Sequence, residues 1–94
     1  MTHTAVEDGI WTAVQAERRR QRDKWSGPHA WGMGDCSSPG VPAPVKAAVL
    51  AEECGEAARA ALEQNGDQLR KELVQVAAVA VAWLEFLTTE GDFA

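Results

Sequence analysis

The sequence predicts an all-α fold, a three-helix chain with an acidic antiparallel helical hairpin that completes a four-helix core by oligomerisation. Three observations carry this expectation. Apolar residues recur at helical spacing in three segments, while alanine is abundant and tyrosine absent. Glycines and prolines crowd the stretch from Trp25 to Pro44, which separates the first segment from the other two. The third segment is apolar nearly all round from Ala77 to Leu84, so it needs cover on more than one side. Three helices alone cannot supply that cover, and a homodimer or homotetramer can. At 94 residues the chain is read as a single domain, 1–94, near the low end of independent stability.

The first helix is placed at 5–24. Thr4 with Glu7 three residues later has the form of a capping box, and Val6, Ile10, Ala13 and Val14 follow at helical spacing. Cations gather in its C-terminal half, where they suit the helix dipole. Residues 25–44 form a loop, marked by Gly27-Pro28, Gly32, Gly34, Pro39-Gly40, Pro42 and Pro44. Loops beyond about 12–15 residues in a compact domain are usually functional or disordered. The second helix, 45–64, begins after Pro44 and stops at Asn65-Gly66. Asp67 serves as N-cap for the third helix, 67–88, whose apolar stripe runs through Leu69, Leu73, Val76, Ala80, Trp83, Leu84 and Leu87. Trp11 and Trp83 lie on such stripes and read as core, and Cys54 reads as a small buried hydrophobe.

Nine basic against fourteen acidic side chains leave a formal charge of -5. That balance argues against duplex nucleic acid as a partner, since phosphates must be neutralised by cations. It suits divalent cations, although a solvated surface explains net charge equally well. With two cysteines, no basic-then-apolar leader and no apolar run near the ~20 residues a bilayer requires, a soluble cytoplasmic protein is expected. His3, His29, Cys36 and Cys54 have no spacing that suits zinc.

The chemistry lies in the hairpin. Glu53 and Glu56 share one face of the second helix, and Glu72 and Gln75 share one face of the third. Glu56 lies ten residues before Gly66 and Gln75 nine after it, so both pairs should sit level across the turn at ~1.5 Å rise per residue. Three carboxylates and an amide then converge, and a hard divalent cation is their natural partner. Two solvated faces neutralised by Arg59, Arg70 and Lys71 fit the same spacing.

Glu53-Cys54-Gly55-Glu56 followed by Glu72-x-x-Gln75 resembles the E-x-x-E … E-x-x-D signature of the MazG-like all-α nucleoside triphosphate pyrophosphohydrolases. The runs from Val49 to Ala57 and Leu73 to Trp83, and Glu17 to Gln21 with Lys24, Trp25 and His29, are similar to a small phage and actinobacterial branch of that superfamily. The resemblance implies Mg²⁺, or Mn²⁺, held by Glu53, Glu56, Glu72 and Gln75, and hydrolysis of a nucleoside triphosphate to the monophosphate and pyrophosphate. Glu52 or Glu53 would serve as general base, a choice that spacing leaves open. The resemblance also points to Trp25 and His29 for the base. Arg18, Arg22, Lys24 and Lys46 are the candidate phosphate contacts, because guanidinium and ammonium groups match phosphate oxygens. Gln75 departs from the signature's Asp and removes one negative charge. A degenerate oligomer that binds nucleotide or a protein partner without turnover is the alternative expectation.

Overall fold

The computed structural model describes residues 2–90, and they are predominantly helical. Helix α1 spans His3–Lys24, α2 Ala43–Leu62 and α3 Gly66–Glu90, with a two-residue hairpin of β1 Pro28–His29 and β2 Gly32–Met33 between α1 and α2. Helix α3 is the central element. Both α1 and α2 pack on it, and among the described residues they do not pack on each other. The chain is therefore open along one side, and the segment from Trp25 to Pro42 bridges the gap.

Helix starts and stops are set by local hydrogen bonds that shift the expected boundaries. Thr2, rather than Thr4, caps α1, its hydroxyl accepting from the Ala5 amide at 3.1 Å. Thr4 lies inside the helix, and Glu7 pairs with His3 one turn back at 2.6 Å. Pro44 sits in the first turn of α2, where its missing N–H costs nothing. The turn between α2 and α3 takes residues 63–65, one residue longer than the expected Asn65-Gly66 and set earlier in the chain. Gln64 takes the left-handed conformation, with φ 56°. The Asn65 amide then donates to the Ala60 carbonyl at 3.0 Å and that of Gln64 to Ala61 at 3.1 Å, a Schellman closure. Asn65 becomes the cap of α3 through Oδ1, which accepts from the Gln68 amide at 3.1 Å, so Asp67 falls in the first turn.

The bridging segment is ordered by its own polar groups. Met33 N–H donates to the Gly40 carbonyl at 3.0 Å and Ser38 Oγ to the Met33 carbonyl at 2.7 Å. Gly32 has φ 145° and Gly34 φ 89°, and a Cβ on Gly32 would overlap the Gly40 carbonyl oxygen. His29 staples the hairpin: Nε2 donates to the Gly34 carbonyl at 2.8 Å while Nδ1 accepts from the Trp31 amide at 3.2 Å.

Arg18 ties α1, this segment and α3 together. Its guanidinium is 3% exposed and donates from Nη1 to Asp35 Oδ2 at 2.7 Å and from Nη2 to Glu85 Oε2 at 2.6 Å. A buried guanidinium needs such partners. The expected phosphate role for Arg18 is thus replaced by a structural one. Arg22 leans the same way, 3.9 Å from Glu85. Burial alone would raise the Asp35 carboxyl, but hydrogen bonds from Ser37 and Arg18 outweigh it and hold the group below its ordinary range.

The expected apolar stripes are only partly buried. The core takes Val14, Val41, Ala57, Ala60, Ala78, Val79, Ala82 and Phe86, whereas Trp11 is 52% exposed and Cys54 lies on the surface. Trp83 is half-buried. Helix α3 is also long and apolar enough to cross a membrane by length and composition, with 28% of its most apolar window buried here.

Asp35→Ala strips one carboxylate from a buried cation. It should lower the unfolding free energy by about 3 kcal/mol, read from urea midpoints. Because the folded-state Asp35 group titrates below its unfolded value, its contribution holds above the ordinary aspartate range and is lost as pH falls through the lowered value. The acid limb of the stability profile should therefore be shallower in Asp35→Ala than in the native chain.

Candidate metal centre

The gap between α1 and α2 is a cleft of about 640 Å³, floored by α3 and closed at one end by the bridging segment. Its apolar half is Val41, Val45, Val49 and Val79, with Trp25, His29 and Trp31 at the bridging segment. Its polar half is Glu52, Glu53, Glu56, Glu72 and Gln75, faced from α1 by Arg20, Gln21 and Lys24. A volume of this order fits a drug-sized or nucleotide-sized ligand.

The Schellman turn makes α2 and α3 antiparallel and sets the acidic residues level. Glu53, Glu56 and Glu72 each offer a carboxylate oxygen within 4.8 Å of the other two. Glu72 is buried, Glu53 half-buried and Glu56 exposed. Hydrogen-bond chemistry fixes the Gln75 amide: with its nitrogen turned inward it donates to Glu53 Oε2 at 2.9 Å and to Glu72 Oε2 at 2.8 Å. The opposite orientation would set oxygen against oxygen. Gln68 Nε2 donates to the other Glu72 oxygen at 2.6 Å.

Neutral N–H donors thus hold the carboxylates together. Arg59 pairs with Glu63 and Arg70 with Asp67, and among the described residues no lysine or arginine forms an ion pair with the three glutamates. Burial, then the charges of Glu56, Glu72, Glu52 and Glu17, hold the Glu53 carboxyl above its ordinary range. A hydrogen bond with Glu72, then burial, does the same for Glu56. This donor set fits a hard divalent cation: oxygen ligands converge on one point, they repel one another, and a donor N–H already stands between two of them. Rotation of the Gln75 amide would present its oxygen to the same point.

The other expected site residues divide. Glu52, Lys24, Trp25 and His29 line the cleft. Trp25 meets His29 edge to face at 5.2 Å, and the Lys24 ammonium lies 5.2 Å from the Trp25 ring centre. Both His29 ring nitrogens are engaged in the hairpin, so it contributes its ring face rather than a hydrogen bond. Arg18 and Arg22 do not line the cleft, and neither does Lys46. Lys46 is fully buried with Nζ 3.4 Å from the Phe86 ring centre, a cation–π contact in the core. Burial lowers its ammonium.

Arg20 takes the place expected of Arg18. Two residues apart on a helix, these side chains point to nearly opposite sides, so only one of them can face the cleft. The signal was present in the spacing: Arg20 and Lys24 are one turn apart, and Glu17 braces Arg20 through a 2.8 Å hydrogen bond from Nε. Asp35 and Cys36 also reach the cleft, through backbone turns that no side-chain pattern announces. No family model, no characterised protein and no solved structure matches this chain.

Crowding of like charges has a measurable consequence. Groups whose folded-state value is raised lose stability as pH climbs through it, so the ion-free protein should be most stable on the acidic side of neutrality. Glu53→Gln should raise the Tm of the ion-free protein by a few degrees at neutral pH, seen by thermal circular dichroism. The same substitution should remove any stabilisation by Mg²⁺.

Proposed function

We propose that the chain is a Mg²⁺-dependent nucleoside triphosphate pyrophosphohydrolase that works as a homo-oligomer in the cytoplasm. The observation that carries this reading is the convergence of Glu53, Glu56 and Glu72 within 4.8 Å at the wall of a nucleotide-sized cleft. It agrees in residue order with the MazG-like signature that Glu53, Glu56, Glu72 and Gln75 resemble.

On this reading Glu53, Glu56 and Glu72 hold Mg²⁺, with Gln75 turned to offer its oxygen, and the ion supplies the positive charge a triphosphate chain requires. Arg20 and Lys24, across the cleft, bind the outer phosphates. Trp25 and Trp31 give the base a face to stack on beside the valines. Glu52 and Glu53 both border the cleft. Glu53, half-buried among the carboxylates of the cluster, is the one we assign as base. Its carboxylate takes a proton from water as the water oxygen attacks the α-phosphorus. The α-phosphorus to bridging-oxygen bond then breaks, and pyrophosphate leaves with both electrons of that bond.

One observation favours a second reading. The Gln75 amide bridges Glu53 and Glu72 through its own N–H donors, so the chain itself can close the cluster. A site locked in that way binds nucleotide or a protein partner without turnover.

Each common NTP and dNTP, incubated with the protein and Mg²⁺ or Mn²⁺, separates the two. The hydrolase reading expects pyrophosphate release that falls by about 100-fold or more in Glu53→Gln, the scale of a lost general base. Gln75→Asp should tighten Mg²⁺ binding roughly tenfold by calorimetry, since it restores a fourth carboxylate. No release with any nucleotide and either metal would establish the locked reading instead.

A further inference from the structure

A carboxylate backs the cationic wall of the cleft, where a site for anions gains nothing from its charge. Glu17, Arg20, Gln21 and Lys24 follow at spacings of three and four along α1 and share one helix face. Arg20, Gln21 and Lys24 line the cleft, and Glu17 stands behind them. Its Oε1 accepts from Arg20 Nε at 2.8 Å, and its Oε2 accepts from Arg20 Nη2 at 2.5 Å and from Gln21 Nε2 at 3.2 Å. Granted the nucleotide reading above, on which this rests, we propose that Glu17 is a positioning residue for phosphate binding. It fixes the Arg20 guanidinium so that the donors left over meet the outer phosphates of a nucleoside triphosphate.

A guanidinium carries five N–H groups in one plane, and Glu17 takes one from Nε and one from Nη2. Three are left, both on Nη1 and one on Nη2, at the end of the fork turned away from Glu17. Among the described residues Arg20 makes no other side-chain bond, so that end is open to a ligand in the cleft. Two bonds to one carboxylate set the plane of the fork as well as its place, which reduces the ordering that a bound phosphate would otherwise require. Glu17 is itself held. Its side chain is 11% exposed against 53% for Arg20, and Gln21 behind it is buried. The support runs from a buried amide, through a nearly buried carboxylate, to a half-exposed cation.

Helix pairs that belong to the surface alone look different. Arg59 meets Glu63 at 3.5 Å and Arg70 meets Asp67 at 3.3 Å, each through a single contact between side chains at least 60% exposed. Glu17 is also electrostatically awkward as a bystander. Its charge is among those that hold the Glu53 carboxyl up, so it adds to the crowding of the acidic wall. The hold on Arg20 is what offsets that cost.

Charge and position forecast opposite signs. Removing a carboxylate near an anion site strengthens anion binding if Coulomb forces alone count, and weakens it if the carboxylate holds the arginine. Calorimetry with Mg²⁺ and the α,β-methylene triphosphates of the common bases, which resist cleavage at that bond, reads the sign directly. The matching monophosphates serve as short ligands that do not reach Arg20. Glu17→Gln should bind the triphosphate about tenfold more weakly than the native chain, with monophosphate affinity changed by less than about twofold. In an Arg20→Ala background the same substitution should change triphosphate affinity by less than about twofold. If Glu17→Gln loses helicity by circular dichroism, Glu17→Asp replaces it: the charge stays, the carboxylate is drawn back by one methylene, and triphosphate affinity should still fall. Triphosphate binding by the substituted chain that equals or exceeds native, an equal loss for monophosphate, or an equal loss without Arg20 would each overturn the assignment and leave the nucleotide reading intact. A native chain that binds none of the triphosphates would overturn both.

Discussion

The buried guanidinium of Arg18 holds together what helix packing leaves apart. Helices α1 and α2 share no interface among the described residues, and each rests on α3 alone. Arg18 gives α1 two charged anchors at once, Glu85 on α3 and Asp35 on the bridging segment. Asp35 in turn organises Ser37 through its other oxygen, at 2.6 Å from the hydroxyl. The cleft exists because this clamp fixes the bridging segment across its end while α1 and α2 stay separate. Such an arrangement is directional in a way apolar packing is not, since a charged fork satisfies its partners in one geometry only. Burial strips water from the guanidinium, and that cost is what makes it depend on buried Asp35 and part-exposed Glu85 as partners.

The acidic cluster obeys the opposite logic. Three glutamates are brought close with amide donors for company and, among the described residues, no lysine or arginine in an ion pair with them, and their crowding keeps two of them reluctant to ionise. Stability is given up locally where a ligand of opposite charge would return it, the usual signature of a binding site. The helical hairpin tolerates this because the Schellman turn at Gln64 and Asn65 is closed by backbone hydrogen bonds that do not depend on the cluster.

Much of this was legible in the residues. Periodicity and the glycine- and proline-rich break set out three helices, and counting outward from Gly66 set Glu53, Glu56, Glu72 and Gln75 level. What was not legible depended on phase and on backbone turns. Arg18 and Arg20 are both plausible phosphate ligands as side chains, and only the packing of α1 on α3 decides which is buried. Lys46 lies one turn before the acidic residues yet points into the core, where the Phe86 ring accepts its charge. Trp11 sits on an apolar stripe that one copy of the chain leaves half in water. Asp35 has no motif at all; its role follows from glycine-dependent turns that deliver it to Arg18. The boundary errors at Thr4, Asn65 and Asp67 share one cause: several capping residues lay within reach, and hydrogen-bond geometry chose among them.

The amide of Gln75 behaves as a two-headed fitting. One end is a donor and suits carboxylates that stand alone; the other is an acceptor and suits a cation between them. Turning the amide over exchanges the two conditions without moving the backbone and without changing its charge. An aspartate in the same place would need a proton to sit quietly beside Glu53 and Glu72, and would have to shed it before a cation could enter. With glutamine, this corner of the cluster is insulated from the proton concentration around it.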